Sequence, residues 1–272
     1  MENIRREVSR LRRDYVHGSS WYFEYVAKLL AKASYDEVGY LYNYLQDIRP
    51  GMGSLSNIRE AMEGRGVETK EDANQLGLDL LKYLEDAESR MRVEAAKVRI
   101  RTALSISHSG AVKLLVEEGG IEKIFLLRSS PGKEYRRAVA EYSKYCDVTV
   151  IPDAAMYSLT KDVDAVVTGV DGLYSSGFFT NKLGTAPLCL SARERGVRVI
   201  VAGESFKAAD IEPHVSWTKV YLGKSLHKVP LFDLVPISFI DELITDRGTF
   251  KNQQKGVLGK LHSYFLSTIT KE

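Results

Sequence analysis

The stretch IRTALSISHSGAVKLLVEE, residues 100–118, passes from an apolar, β-branched run through a small polar turn into a helical pattern. Four more short apolar runs follow it, at residues 123–127, 148–152, 165–169 and 198–202. Helical patterns separate several of these runs, at residues 111–118, 134–145 and 186–195. Strands that are apolar on both faces and alternate with helices indicate a mostly parallel sheet covered on both sides. The C-terminal part of the chain is therefore predicted to be α/β.

The first hundred residues show a different pattern, because their apolar residues recur at helical spacing. Ile4, Val8 and Leu11, for example, predict an amphipathic first helix whose arginines form a solvated outer face, the alternative being an RNA or membrane contact. Four further helices are predicted. The first begins at Ser19 and Ser20, which can cap it, and the next two cover residues 37–47 and 57–63, with a turn at 51–54 between them. The fourth runs from Thr69, which has Asp72 three residues later, through Ala95. We expect a helical N-terminal domain over residues 1–98 and a Rossmann-like α/β domain over residues 99–272.

The composition limits the class of protein. The chain has 272 residues, of which 44% are hydrophobic and 27% charged, with a formal net charge of +2. These values are typical of a folded globular protein, and the longest uncharged apolar runs are too short to cross a bilayer. The balanced charge gives no indication of direct nucleic-acid binding. The N-terminal segment lacks the apolar core of a secretory signal. Two cysteines are too few for a disulfide framework, so we expect a reducing compartment and a cytoplasmic protein.

Cysteine and histidine spacing indicates neither a disulfide framework nor a metal site. Cys146 and Cys189 fall in helical patterns with apolar neighbours and are predicted to be core residues. His214, His227 and His262 lack metal-ligand spacing, and no Walker A or G-x-G-x-x-G fingerprint occurs. We therefore expect no metal and no cofactor, and nucleotide hydrolysis and NAD chemistry are poorly supported.

Polar residues follow the predicted strands where each strand ends. In an open parallel sheet, ligands bind beyond the carboxyl ends of the strands, so this edge is the predicted site. The segments concerned are 107–110, 128–131, 169–172 and 203–207. Two later segments, 232–236 and 245–248, are predicted to be structural loops.

Each of these segments has a chemical and a structural interpretation. Free amides at Ser107–Gly110 favour an anion, but Ser109 could equally be an ordinary N-cap. A Ser107–His108 dyad is not expected, because adjacent side chains on a strand point to opposite faces. Asp171 could act as a general base or bind a ligand hydroxyl, or it could be a turn aspartate bonded to its own backbone. Asn181 and Lys182, before a glycine and a helix start, favour a phosphate or sugar cradle. Lys207 suits a phosphate or solvent.

Several strings together resemble a known superfamily. GVDG at 169–172, Gly177, NKLGT at 181–185 and GESFK at 203–207 match, in order and spacing, the alpha, beta and delta subunits of translation initiation factor 2B. Enzymes of that superfamily are ribose-1,5-bisphosphate isomerase and methylthioribose-1-phosphate isomerase. The segment from FD at 232–233 through TDRG at 245–248 resembles the C-terminal signature of the superfamily. VHGS at 16–19 and RPG at 49–51 resemble two of its N-terminal motifs. The resemblance covers nearly the whole chain. It implies a helical domain before a Rossmann-like one and a homodimer formed through the C-terminal domain.

The resemblance also implies residue roles. In the isomerases, a cysteine at the position of Ser107 and an aspartate at that of Asp171 move protons or hydride between C1 and C2 of an aldose phosphate. Arg49 matches a phosphate-binding arginine. With the turn residues above, the predicted ligand-binding set is Gly18, Arg49, His108, Ser109, Gly110, Asn181, Lys182 and Lys207.

Three positions depart from the isomerase pattern. Ser107 replaces the cysteine, and a hydroxyl is a far poorer acid than a thiol of pKa ~8.5. His17 and Ser130 stand where arginines are usual, which removes bidentate phosphate contacts. These departures, together with the Glu-Ser-Phe-Lys string, resemble the initiation-factor side of the superfamily.

Three functions follow as hypotheses. The first is an initiation factor 2B-like regulatory subunit whose pocket binds a sugar phosphate or nucleotide, with a translation factor as protein partner. The second is an active aldose–ketose isomerase of a phosphorylated pentose, in which His108 or a water replaces the thiol. The third is a structural interaction subunit with a vestigial pocket.

Overall fold

The computed structural model describes residues 2–14, 16–130, 132–222, 224–251 and 255–271. A helical region precedes a mostly parallel sheet, which confirms the predicted fold class. The helices of the first region are α1 Glu2–Arg13, α2 Ser19–Leu30, α3 Tyr35–Ile48, α4 Gly53–Gly64 and α5 Lys70–Ala95. Across the described ranges, no helix combines the length and apolar character needed to cross a membrane.

Local sequence signals place two of these helices. Helix α1 buries Ile4, Val8 and Leu11, the residues at helical spacing. Helix α5 begins with a capping box, in which the Thr69 hydroxyl accepts from the Asp72 amide (3.1 Å) and the Asp72 carboxylate accepts from the Thr69 amide (3.0 Å). These bonds satisfy backbone donors that have no partner inside the helix.

The predicted serine caps of α2 are wrong. Gly18 is the N-cap, and Ser19 and Ser20 lie in the first turn. Their hydroxyls bond to distant residues instead, Ser19 with Ser54 (2.6 Å) and Ser20 to Glu204 (3.1 Å). The turn predicted over 51–54 is also shorter than expected, because helix α4 already begins at Gly53. Tertiary partners therefore override the local capping preference.

The second region alternates strands and helices. Its strands are β1 Thr102–Ile106, β2 Lys123–Leu127, β3 Asp147–Ile151, β4 Ala165–Thr168, β5 Gly172–Tyr174, β6 Phe178–Lys182, β7 Arg198–Ala202, β8 Ala208–Ala209, β9 Trp217–Leu222, β10 Ser225–Pro230, β11 Phe232–Pro236, β12 Glu242–Thr245 and β13 Gly248–Lys251. Its helices are α6 Gly110–Glu118, α7 Tyr135–Tyr142, α8 Met156–Thr160, α9 Thr185–Arg195 and α10 Lys255–Thr270. The five predicted apolar runs all form strands, and the three predicted helical patterns all form helices.

The main sheet has the strand order β13-β12-β7-β4-β1-β2-β3. All neighbours pair in parallel except β12 and β13. Numbered along the chain, the six parallel strands follow the order 3-2-1-4-5-6, in which the direction of winding reverses between β1 and β4. Ligands of such sheets bind at the carboxyl ends of the strands beside that reversal.

A smaller sheet, in the order β11-β6-β5-β8, flanks that edge. The prediction of a loop at 232–236 is wrong, because these residues form β11 and pair antiparallel with β6. The register places Asp233 opposite Asn181, and the Asp233 carboxylate accepts from the amides of Gly184 (2.8 Å) and Ala186 (2.9 Å) at the start of α9. Strand pairing here depends on β6, about fifty residues earlier, so the local sequence gave little indication of it.

Residues of both regions pack together in one of the apolar clusters of the protein. Phe23 of α2 stacks on Phe206 at 4.2 Å between ring centroids, and Phe265 of α10 meets Phe23 edge-on. The Asn57 amide of α4 donates to the carbonyls of Phe206 (2.8 Å) and Ala208 (2.6 Å). The helical region is therefore packed and hydrogen-bonded directly over one end of the sheet.

Two helical glycines give a matched test of this packing. A Cβ at buried Gly77 of α5 would lie 2.3 Å from the Ala31 amide, where α5 crosses α2, whereas a Cβ at exposed Gly39 of α3 meets nothing within 4 Å. We expect Gly77→Ala to destabilise the protein by about 1–3 kcal/mol, as overpacking does. Gly39→Ala should stabilise it by about 0.5–1 kcal/mol through helix propensity. Urea unfolding of both variants measures this, and equal effects would contradict the packing.

Candidate functional site

The structure gathers the predicted site residues around one cavity. Its volume is about 290 Å³, and it lies at the carboxyl ends of β1 and β4, under the N-terminal helices. The predicted residues that line it are Gly18, Arg49, Ser107, His108, Ser109, Gly110, Asp171, Asn181, Lys182 and Lys207. Residues from both sequence regions therefore form its wall.

Asp171 lies between β4 and β5, partly exposed to the cavity. Its Oδ1 accepts from the Ser19 amide (3.0 Å), and its own amide donates to the Thr180 carbonyl (2.8 Å). Burial raises the pKa of Asp171 above its ordinary value, although the charge of Lys207 and the Ser19 amide partly oppose this. A carboxyl group with a raised pKa in a cleft is suited to accepting and returning protons.

Lys182, the last residue of β6, is almost fully buried. Its Nζ donates to Glu134 Oε1 at 2.8 Å, and both side chains are less than a tenth exposed. Glu134 precedes α7 and was not predicted to be in the site. It comes 48 residues before Lys182 in the sequence, and no spacing or motif connects the two.

Lys207 forms a second buried ion pair. Its Nζ lies 2.7 Å from Glu204 Oε2, and both residues belong to one short turn after β7. The Ser20 hydroxyl holds the other Glu204 oxygen. Burial raises the pKa of Glu204, but the Lys207 charge outweighs this and lowers the pKa below its ordinary value. Glu204 was missed as a site residue, although its i, i+3 spacing to Lys207 within the quoted GESFK string was a usable signal.

Arg49 lies at the end of α3, on the cavity wall. Its guanidinium donates to the Tyr22 hydroxyl (2.9 Å) and to the Leu11 carbonyl (3.3 Å). The guanidinium carbon also lies 5.6 Å from the centre of the Tyr22 ring. Arg49 thus connects α1, α2 and α3 while it faces the cavity, so it has a structural role besides the predicted phosphate contact.

Asn181 is tied to the protein by its amide nitrogen. Nδ2 donates to the hydroxyls of Thr168 (2.7 Å) and Thr185 (2.9 Å). These two bonds use both amide hydrogens of Asn181. Asn181 therefore joins the end of β4 to the start of α9 beside the cavity, and only its oxygen is left for a ligand.

The segment from Ser107 to Gly110 links β1 to α6 in a strained conformation. Ser107 has φ +63°, a region that non-glycine residues rarely adopt, and its amide donates to the Ser129 hydroxyl (2.8 Å). Ser109 is the N-cap of α6, as its hydroxyl accepts from the Val112 amide. Strain of this kind concentrates at binding and catalytic sites.

His108 is bound to a carboxylate within the cavity. Its Nε2 lies 2.9 Å from Glu141 Oε2, and the Arg137 guanidinium donates to the other Glu141 oxygen. Burial lowers the pKa of His108, while its bond to Glu141 opposes this. Burial raises the pKa of Glu141, but hydrogen bonds from Arg137 and His108 outweigh it and lower that pKa to about 2. His108 is therefore neutral at neutral pH.

His17 and Ser130 occupy the two positions where the resemblance leads us to expect arginines. His17 lies at the mouth of the cavity, where its Nδ1 pairs with Asp14 (2.7 Å) and its ring stacks on Trp21 at 4.0 Å. Ser130 is exposed, and its amide donates to Asp153 (2.9 Å). Pro131, which completes the predicted segment 128–131, lies outside the described residues.

Neither cysteine lines the cavity. Cys189 is buried in α9, as predicted, and burial raises its pKa to about 12. Cys146 follows α7 and is only half-buried, which corrects the prediction of a core residue in a helix. Burial raises the pKa of Cys146 to about 11. Within the described ranges, no three His, Cys, Asp or Glu side chains cluster as metal ligands.

Known proteins with similar sequences include both sugar-phosphate isomerases and initiation factor 2B-like proteins. A sequence profile of the Initiation factor 2 subunit family matches residues 25–252. The ribose 1,5-bisphosphate isomerase of Methanocaldococcus jannaschii is 30% identical over 157 residues, which are 52% of this chain and 51% of that protein. This chain therefore matches about half the length of that relative. A Pyrococcus furiosus protein named as translation initiation factor eIF-2B subunit 2-like is 25% identical over 266 residues, 91% of this chain and 96% of that one.

Solved structures share the fold. The translation initiation factor eIF-2B of Pyrococcus horikoshii OT3 has a TM-score of 0.85 at 21% identity and covers 93% of this chain and 98% of its own. A chain of the tetrameric eIF2B-beta2-delta2 complex from C. thermophilum has a TM-score of 0.69 at 16% identity, with coverage of 96% and 94%. At these identities the likeness concerns the fold alone.

The raised pKa of Asp171 predicts a stability effect. The folded state holds this proton more tightly than the unfolded state, so the contribution of Asp171 is favourable below its ordinary pKa of 3.8 and is lost as pH rises through the raised value. At pH 7 the ionised group costs stability. We expect Asp171→Asn to raise the melting temperature at pH 7, with a smaller gain at pH 4.

Asp79→Asn is the matched control, because the pKa of Asp79 is lowered where that of Asp171 is raised. Burial raises the pKa of Asp79, but the hydrogen bond from Arg65 outweighs it and lowers that pKa. Asp79→Asn should therefore lower the melting temperature at pH 7, with a smaller loss as pH falls. A gain for Asp171→Asn that is equal at pH 7 and pH 4 would contradict the burial of the Asp171 charge.

Proposed function

Because the chain belongs to the Initiation factor 2 subunit family, we propose that it is a regulatory-type, initiation factor 2B-like subunit that binds a phosphorylated sugar or nucleotide in the cavity and releases it unchanged. The chemistry of the cavity wall supports binding of such a ligand. Lys182, Lys207 and Arg49 supply charge-assisted donors, and Asp171 can accept from a sugar hydroxyl. The volume of about 290 Å³ is at the small end for ligand pockets, which suits a compact ligand such as a pentose phosphate.

The observation that carries this proposal is that no thiol is present among the described residues lining the cavity. Ser107 stands where the isomerases, by the resemblance described above, have a catalytic cysteine. Cys146 and Cys189 lie elsewhere, and burial raises the pKa of both. A serine hydroxyl cannot give up a proton at neutral pH without a strong adjacent base. The backbone amide of Ser107 donates to the Ser129 hydroxyl, and the hydrogen bonds of the described residues include no base bonded to the Ser107 hydroxyl.

Two observations disfavour His108 as an acid in place of the thiol. Its Nε2 is engaged by Glu141, and burial lowers its pKa, so it carries no additional proton to donate at neutral pH. A general acid needs a proton that is both available and aimed at the substrate. This leaves Asp171 as a proton acceptor, while the ammonium groups of Lys182 and Lys207 on the cavity wall are already engaged by glutamates.

Isomerisation of a phosphorylated pentose remains the second candidate, and one observation favours it. Asp171 lies at the cavity floor with a raised pKa, which brings the carboxyl closer to the pH at which an acid–base catalyst works. The relative in Methanocaldococcus jannaschii is named as such an isomerase. A third candidate, an interaction subunit with a vestigial pocket, requires neither ligand nor turnover.

The proposal includes a cytoplasmic homodimer formed through the C-terminal α/β domain over residues 99–272, and a translation factor as protein partner. The exposed side chains Trp217, Tyr221 and Leu226 on the β9–β10 hairpin support an association surface in that domain. The family match and the similarity to the Pyrococcus furiosus protein named as an initiation factor subunit support a translation-factor partner. The two free cysteines suit a reducing compartment.

Phosphorus NMR with ribose 1,5-bisphosphate tests binding and turnover together. We expect the ligand resonances to broaden with added protein, because ligand exchanges into the cavity, and no product resonances to appear. A double variant, Lys207→Met with Glu204→Gln, removes one buried ion pair and leaves neither charge unpaired. It should reduce the broadening, while Lys113→Met, at a partly exposed lysine on the cavity wall, should change it little.

Two results would contradict the proposal. Ribulose 1,5-bisphosphate appearing at a rate proportional to protein, and lost in Asp171→Asn, would establish the isomerase. No broadening by ribose 1,5-bisphosphate, ribose 5-phosphate or a nucleoside monophosphate would favour the interaction subunit.

A further inference from the structure

Glu134 places a carboxylate where a ligand anion would meet Lys182. Its Oε1 accepts from Lys182 Nζ at 2.8 Å inside the cavity wall. Its Oε2 is also buried and accepts no hydrogen bond within the described part of the chain. A buried carboxylate oxygen without a donor is energetically costly, so the loop holds Glu134 in a position that leaves it incompletely satisfied.

The loop before α7 folds closely over this carboxylate. A Cβ at Gly132 would lie 1.8 Å from Glu134 Oε2, so the observed position requires glycine at 132. Ser129, at the start of the loop, is buried with φ +57°, and Asp153 accepts from the amides of Ser129 (2.8 Å) and Ser130 (2.9 Å). The loop is therefore anchored at Ser129, while Ser130 and Lys133 are exposed.

The two buried ion pairs of the cavity differ in construction. Glu204 and Lys207 are three residues apart in one turn, and the Ser20 hydroxyl also holds Glu204. Glu134 and Lys182 come from separate elements, and the described hydrogen bonds to the Glu134 carboxylate come from Lys182 alone. A movement of the loop can separate Glu134 from Lys182, whereas Glu204 and Lys207 move together. Lys182 is thus the lysine whose carboxylate partner a ligand can displace more easily.

We propose that Glu134 competes with the ligand for Lys182 and so raises the interaction strength that an anion needs in order to bind, a requirement that a phosphate dianion meets and a carboxylate does not. This inference rests on the proposed binding function. A ligand carboxylate would merely replace one carboxylate on Lys182 by another. The free-energy cost of moving Glu134 away from Lys182 would then oppose binding of that ligand. A phosphate monoester carries about −1.5 to −2 charges near pH 7 and three acceptor oxygens, so it gains more from the lysine than Glu134 does.

Isothermal titration of wild type and Glu134→Gln tests this, with ribose 5-phosphate as the phosphate probe and ribonate as the carboxylate probe. Without the competing charge, ribose 5-phosphate should bind about tenfold more tightly, the size of one charge-assisted hydrogen bond. Ribonate, which we expect not to bind wild type measurably, should bind Glu134→Gln. If Glu134 were merely structural, Glu134→Gln would tighten the binding of neither probe.

Glu141→Gln is the matched control. Glu141 lines the same cavity but contacts His108 and Arg137 and no lysine. It removes one negative charge without freeing Lys182, so its affinity for ribose 5-phosphate should stay within about twofold of wild type. Gly132→Ala is the second variant, since its Cβ displaces the Glu134 carboxylate while keeping the charge. It should also tighten ribose 5-phosphate binding, and it tests the proposal even where Glu134→Gln fails to fold.

Three results would overturn the inference. If wild type binds ribose 5-phosphate and both Glu134→Gln and Gly132→Ala bind it no more tightly, Glu134 does not compete, and the proposed binding function stands. If Glu141→Gln tightens binding as much as Glu134→Gln, general charge in the cavity and not competition for Lys182 sets the affinity. If neither wild type nor any variant binds ribose 5-phosphate, both the inference and the proposed binding of sugar phosphates fail.

Discussion

The hydrogen bonds around Asp171 hold the two regions of the chain together at the floor of the cavity. Its carboxylate accepts from the Ser19 amide at the start of α2, and its carbonyl accepts from the Gly53 amide at the start of α4. Its own amide donates to Thr180 of β6. One residue therefore fixes two helix N-termini against the end of the sheet. The burial that makes these bonds effective also raises the pKa of the Asp171 side chain. The residue that connects the two regions is therefore also the residue whose pKa is shifted.

The other charges of the cavity are constrained by the cost of burial. Lys182 and Lys207 are each less than a tenth exposed, and each is neutralised by a glutamate. An unpaired charge in such surroundings would cost several kcal/mol, so each of these buried lysines requires a carboxylate partner. A ligand must therefore offer more than Glu134 or Glu204 already provides. The carboxylates that line the cavity outnumber its lysines and arginines, so the site has no net positive charge to offer a ligand.

Much of the fold follows from local sequence. The runs at 123–127 and 198–202 match β2 and β7 residue by residue, because fully buried parallel strands are continuous apolar runs. The capping box at Thr69 is likewise local. The rule that ligands bind at strand ends selected residues that do line one cavity, since β/α alternation makes the strands parallel and so brings their carboxyl ends to one edge of the sheet. Their predicted ligand roles remain predictions. The errors at Ser19, Ser20 and 232–236 arose where a distant partner, Ser54, Glu204 or β6, decides the local structure.

The sequence by itself determined the two-region order, the parallel strands and the loops that carry the polar residues, because these depend on periodicity and on residues within a few positions of one another. Only the tertiary structure decided which charges meet. Glu134 and Lys182 are 48 residues apart, and Ser19 and Asp171 are 152 apart. Such contacts depend on how separate elements pack, and neither their distance nor their burial is encoded in local spacing. The state of the site, with its lysines paired and its aspartate desolvated, is a property of that packing.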